Sequence, residues 1–230
     1  MDSMGIMGDK IMTSEEVYID LCLKIEKLVY MPGDSISEND LCKTYGVTRH
    51  IVRNAITRLK DRKLITVYPQ RGTFVSLIDM GLVEDVLYLR ESIEQETLRR
   101  IMDKENNDEL IRQLLENIGL QKKIISKEFT MEQFYDVDNK FHGYMLEAVG
   151  KSDVMNLIKE HYIHVRRWRN FEVRNVERLK EIIKDHENIV ESIKQRKKTE
   201  GREYLHNHLD TVSRLKGIFK IAEPEYFIFR

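Results

Sequence analysis

The chain has 230 residues, of which 41% are hydrophobic and 33% charged, and a formal net charge of −1. That is apolar material for one sizeable core or two smaller ones. No apolar run approaches the ~20 residues that span a bilayer, and residues 1–10 lack the apolar stretch of a secretory signal, so a cytoplasmic protein without a membrane partner is expected. Cys22 and Cys42 have no CxxC spacing and read as buried thiols, not as a disulfide or a metal site.

Residues 1–12 read as a flexible tail. Thr13-Ser14-Glu15-Glu16 is a capping box, with an acid three residues after the cap. It opens a helix with Val17, Leu21, Ile25 and Leu28 on one face, ending before Pro32-Gly33. A short helix from Ser37 closes at Gly46, a residue type that ends helices in the left-handed conformation. Thr48 is a good N-cap, its hydroxyl able to accept a backbone N–H of a second helix running to about Lys63. Val52, Ala55, Ile56 and Leu59 line the buried side of that helix. Arg49, His50, Arg53, Asn54 and Thr57 line the other. Two helices joined by a Gly-containing turn, the second basic on its free face, suit a DNA major groove.

Strand-forming runs at 64–68 and 73–77 flank Pro69-Gln70-Arg71-Gly72 and read as a β-hairpin. With Arg71 and Gly72 at its tip, it is a wing able to touch DNA. Eight Lys/Arg and one acidic residue, Asp61, lie between Lys43 and Ile78, so the rest of this nearly neutral chain is acidic. A local basic patch is the electrostatic footprint of phosphate binding.

Strand alternation stops at 79–81, which reads as a linker. Beyond it the periodicity predicts helices over 82–103, 106–118, 119–126, 130–149, 152–172, 175–196 and 199–221, then a tail over 222–230. The expected fold class is mainly α: a winged helix-turn-helix of three helices plus a hairpin wing over 13–78, then an all-α antiparallel bundle over 82–221.

Three of these helices place metal-ligand residues on apolar stripes. Asp138 and His142, one turn apart, share a face with Phe134, Met145 and Val149. His186 lies with Ile182, Ile189 and Ile193, and His208 with Leu205, Val212 and Leu215. His206 points elsewhere, about 200° round the helix from His208. A lone histidine on an apolar face is more often a satisfied core residue, but three with an aspartate point to a divalent metal. Zn²⁺ fits first, with Ni²⁺ and Mn²⁺ as alternatives. His161 and His164 are rivals as ligands or pocket lining. Arg90, on the inward stripe of the first bundle helix, needs an anionic partner. That partner is either Glu94, one turn on, or a ligand carboxylate in the metal cavity. Arg166-Arg167-Trp168-Arg169 reads as a solvated face, or else as an interdomain or dimer contact.

Residues 14–78 resemble the winged helix-turn-helix of the GntR family of bacterial transcription regulators. The resemblance rests on Pro32-Gly33, Gly46-Val47-Thr48-Arg49, Val52-Arg53 and Arg71-Gly72-Thr73. It implies DNA contacts at Thr48, Arg49, Arg53 and Gly72. The helix face adds His50, the wing adds Arg71, and Asn39 stands where the family often has a contacting Arg. Lys63 departs from a usual Gly. Asp138-x₃-His142, Asp185-His186 and His208-Leu209 are similar to the FCD effector domain of FadR-like members. In many of those, one Asp and three His hold a divalent metal. Arg90-x₃-Glu94 resembles the start of that domain.

Together these imply a regulator, not an enzyme. The resemblance points to a homodimer on a palindromic double-stranded operator, acting as a repressor controlled by a small carboxylate metabolite at the metal, with Arg90 as an effector contact. Three other readings stay open: a metal-free pocket for a large acyl ligand, a direct metal sensor, and a metalloenzyme fused to a DNA-binding domain.

Overall fold

The computed structural model describes residues 12–173 and 176–229. The expected flexible tail, Met12 apart, lies outside them. The described residues form two units: those up to Ile78 together with Pro224–Ile228, and those between Asp79 and Glu223 together with Phe229.

In the first unit, Thr13 and Glu16 cap α1 (Ser14–Glu26) reciprocally: Glu16 N–H donates to Thr13 Oγ1 at 3.2 Å, and Thr13 N–H to Glu16 Oε2 at 2.8 Å. α2 (Glu38–Tyr45) is capped by Ser37 and ends at Gly46 with φ +63°. α3 (Arg49–Asp61) packs on α1, enclosing Val17, Leu21, Ile25, Val52, Ala55 and Leu59. Thr48 has the extended backbone of an N-cap, but its hydroxyl makes no capping bond, so the expected cap is absent. Lys63 takes the left-handed φ of +57° that glycine adopts freely, at a cost of about 1–2 kcal/mol. Leu64 is fully buried just beyond it.

The wing is β2 (Ile65–Tyr68) and β3 (Gly72–Val75), antiparallel with Tyr68 opposite Gly72, so Pro69-Gln70-Arg71 form its tip. Gly72 has φ +112°, a conformation open to glycine and strained for any side chain. A two-residue strand, β1 (Ser35–Ile36), adds to the free edge of β3, too short to leave a periodic signal. β4 (Ile78–Asp79) pairs with β5 (Phe227–Ile228).

The second unit is helical: α4 (Met80–Met102), α5 (Asp108–Ile125), α6 (Met131–Ala148), α7 (Tyr162–Glu172), α8 (Val176–Lys194), α9 (Lys198–Leu209) and α10 (Thr211–Ala222). α5 packs on both α6 and α8, and α9 on both α8 and α4, which turns the stripes of α6, α8 and α9 toward one another.

Three helix expectations are revised. Residues 106–118 and 119–126 are one helix, because Leu110, Leu114, Ile118 and Gln121 bury a continuous stripe through Gly119. An interior glycine costs a helix about 1 kcal/mol, which that burial outweighs. The span 152–172 is instead a 3-10 turn at Val154–Leu157 followed by α7, with Leu157 81% exposed. The span 199–221 breaks at Asp210, whose side chain accepts from Ser213 N–H at 3.3 Å and caps α10. Gly201 sets the seating of α9: a Cβ there would lie 2.5 Å from Met102 Cε and 2.6 Å from Ser192 Oγ.

Candidate metal centre and nucleic-acid interface

Asp138 and His142 on α6, His186 on α8 and His208 on α9 converge, all buried, with one ligand atom from each within 4.8 Å of the others. Local helix periodicity puts each on its stripe, and the packing of α5, α8 and α9 brings the stripes together. His142 Nε2 and His208 Nε2 lie 3.2 Å apart, and His186 Nε2 is 3.6 Å from Asp138 Oδ1.

The outward atoms of His142, His186 and Asp138 are held. His142 Nδ1–H donates to Glu94 Oε2 at 2.7 Å, and Glu94 Oε1 accepts from Arg90 Nε at 2.6 Å. His186 Nδ1–H donates to Gln121 Oε1 at 2.9 Å. Gln121 in turn donates to Asn117 Oδ1 at 2.8 Å, and Asn117 to the Val137 carbonyl at 3.0 Å. Arg169 Nη1 donates to Asp138 Oδ2 at 2.8 Å. Asp185 Oδ2 stands 3.6 Å from His208 Nδ1, an acceptor for a proton there when Nε2 is a ligand. Such outward partners fix ring orientation and tautomer and raise ligand basicity.

The electrostatics fit a cation. Burial pushes His186 well below the ordinary imidazole value, and the His208 ring adds to this. Burial lowers His208 also. For Asp138, burial is the largest influence and opposes the charge, yet the Arg169 guanidinium together with His142, His186 and His208 holds the carboxyl well below its usual range. Burial likewise opposes Glu94, but Arg90, followed by His142, brings it down to about 2. Neutral His186, with Nδ1–H committed to Gln121, therefore aims a bare lone pair at the Asp138 carboxylate. Asp138 Oδ1 and His186 Nε2 are both buried without a hydrogen-bond partner. Two buried acceptors facing each other are costly unless a cation lies between them.

Arg90 takes the internal partner, Glu94. It is 4% exposed, pairs with Glu94, and its Nη1 donates to the Tyr162 hydroxyl. It also walls a cavity of about 280 Å³ shared with His142, Ser152, Lys159 and Arg166. His161 is exposed at the start of α7, and His164, though buried, is not among the four converging residues. His206 is exposed and bonds Glu91 at 2.7 Å, away from the cluster.

The segment 166–169 is not a solvated face. Arg167 and Trp168 are 0% exposed and Arg169 holds Asp138, because α7 begins only at Tyr162 and its phase differs from that of one long helix. Gln121 and Asn117 also escaped the sequence reading. Their signal was present as polar residues at helical spacing on the Leu110–Leu114–Ile118 stripe.

In the first unit, Asn39, Thr48, Arg49, His50, Arg53, Arg71 and Gly72 are all exposed. Arg49 Nη2 donates to Asn39 Oδ1 at 2.8 Å, and Arg53 Nε to Glu38 Oε2 at 3.0 Å. Arg71 stacks over the Tyr68 ring at 5.6 Å, at the tip of the wing. The thiols of Cys22 and Cys42 are free and half-buried, less enclosed than the sequence suggested.

A winged helix-turn-helix unit joined to a helical unit with a buried Asp–His cluster defines a DNA-binding transcription regulator. The chain belongs to the GntR family of bacterial regulatory proteins, matching that family over residues 13–75 and an FCD domain, as in FadR-like members, over 85–211. That family is one of regulators, not enzymes. The chain is 24% identical to the HTH-type transcriptional repressor RspR of Escherichia coli K12, over 87% of each chain. It is 26% identical to an HTH-type transcriptional regulator in an unstable DNA locus of Streptomyces ambofaciens, over 92% of this chain and 88% of that one. In fold it resembles E. coli McbR/YncC, with a TM-score of 0.64 at 17% identity, covering 90% of this chain and 98% of that one. No helix among the described residues is long and apolar enough to cross a membrane.

Proposed function

We propose that this protein is a cytoplasmic repressor that binds a palindromic operator as a homodimer and is controlled by a small carboxylate docked beside a divalent metal. The observation that carries the metal is the facing pair of buried acceptors, Asp138 Oδ1 and His186 Nε2, beside His142 and His208. Asp138, His142, His186 and His208 would hold the ion, Zn²⁺ first and Ni²⁺ or Mn²⁺ otherwise. The metal would supply a Lewis-acidic anchor for an anionic ligand. The cavity at His142 suits such a ligand: Arg90, Lys159 and Arg166 line it, and its one carboxylate, Glu94, is already paired. These cations favour a small acid over a long acyl chain. The repressor name of RspR supports the sign of regulation.

Two copies would each present α3 to a half-site, since one recognition helix covers only a few base pairs. Asn39, Thr48, Arg49, His50 and Arg53 form the reading face, and Arg71 and Gly72 bring the wing tip to the DNA. The uncapping hydroxyl of Thr48 is available to a phosphate. The effector changes operator affinity only by binding the two states of the protein unequally.

A thermal-shift screen of metal-loaded protein against small carboxylates, followed by operator titration with each stabilising acid, tests this reading. An acid that raises the melting temperature and weakens operator binding is expected. If every stabilising acid leaves operator binding unchanged, effector control by this class is excluded. At the DNA, Arg49→Ala and Arg53→Ala should each weaken operator binding by about 1–3 kcal/mol at matched salt. Unaltered affinity in both would remove them from the interface. Gly72→Val should shrink the footprint at the operator flanks, because valine is strained at φ +112°. A wild-type footprint would count against the wing.

A further inference from the structure

We infer that β5, the last strand of the chain, is a strap through which the metal-bearing helix acts on the wing. The chain's end is a built part of the DNA-binding unit, grouping there as Pro224–Ile228 and pairing with β4. β4 begins at Ile78, three residues after the wing strand β3 ends. Phe227 is the one fully buried side chain among residues 221–229. Its neighbour Ile228 walls a cavity of about 330 Å³ with Gly33, Tyr68, Arg71, Phe74 and Leu77, so the strap reaches the residues that shape the wing.

At its other end the strap continues directly from α10, and α10 is tied to the metal centre in two ways. Along the chain, His208 is followed two residues later by Asp210, the residue that ends α9 and caps α10. Across the helices, Arg169 holds Asp138. Its neighbour Trp168 donates from Nε1 to Thr211 Oγ1 at 3.3 Å and packs edge-on against Phe219 at 5.1 Å. α10 itself is lightly rooted. Val212 is its one fully buried residue, while Ile218 and Ile221 are 59% and 86% exposed. A helix with so little buried surface shifts at small cost, whereas the strand beyond it is anchored by Phe227. Displacement at His208 or Asp138 is therefore passed along α10 to β5. Only the coupling half of this inference rests on the metal reading above.

Hydrogen exchange of full-length protein tests it with no need for an operator or an effector. Amides of β2, β3 and β4 are compared with and without chelator in wild type, Phe227→Asp and Phe227→Leu. Chelation of wild type should speed exchange in these strands. Phe227→Asp should keep the wild-type metal content, exchange there on the order of tenfold faster with metal present, and lose its response to chelator. Phe227→Leu should retain both protection and response. Wild-type protection in metal-loaded Phe227→Asp overturns the strap. A chelator response that persists in that variant, or is missing from fully metallated wild type, overturns the coupling. If wild type carries no metal, the metal reading and the coupling fail together, and the Phe227→Asp comparison still decides whether β5 secures the wing.

Discussion

His208→Ala protein should leave purification with its metal largely lost, while His206→Ala protein keeps a full complement. The two histidines lie two residues apart on α9, so any general weakening of that helix would affect both. Their surroundings differ: His208 is 6% exposed with Nε2 at 3.2 Å from His142 Nε2, and His206 is exposed and bonded to Glu91. Losing one of four ligands should weaken metal binding by more than the 10–100-fold typical of losing an outward partner such as Glu94. A metal present at a thousandfold over its Kd stabilises a fold by about 4 kcal/mol. The His208→Ala variant should therefore show almost none of the thermal shift that added Zn²⁺ gives wild type and His206→Ala. Equal, full metal content in both variants by elemental analysis would eliminate the site as drawn.

Arg169→Met should cost about 3–5 kcal/mol in chelator-treated protein, because it strands a buried carboxylate. Asp138 is 0% exposed, and the Arg169 guanidinium 2.8 Å away is the largest of the charges that offset its burial. A bound divalent cation would supply the missing positive charge from the other side of the carboxylate. The penalty should then be smaller in metal-loaded protein, a difference that urea unfolding of wild type and variant with and without chelator reads directly. An identical penalty in both states would mean that Asp138 does not share its charge with a metal.

The DNA-binding unit was legible almost residue by residue because its signals are local. A capping box, a left-handed glycine and a 3.6-residue stripe each act within a turn or two of chain. They placed Thr13, Gly46 and the buried side of α3 correctly. The four cluster residues were legible for the same reason, since a polar ligand on an apolar stripe shows its anomaly within one helix. Thr48 marks the limit of such reasoning. Its backbone follows the cap pattern, but whether its hydroxyl bonds is a matter of rotamer, which sequence does not specify.

What the sequence by itself determined was therefore the order and type of most elements, the basic exposed face of α3, and the convergence candidates Asp138, His142, His186 and His208. Tertiary structure alone decided which residues hold them. Arg169, Gln121 and Glu94 come from α7, α5 and α4, and their pairing with α6 and α8 depends on helix packing that no short window of sequence records. It also decided the phase of α7, which moved 166–169 from the surface to the core, and the placement of β1 and β5 on distant strands. The physical reason is common to all of these. Helix periodicity and capping arise from neighbours along the chain, whereas a two-residue strand or a buried ion pair is stable only after distant segments have met and burial has supplied its partner.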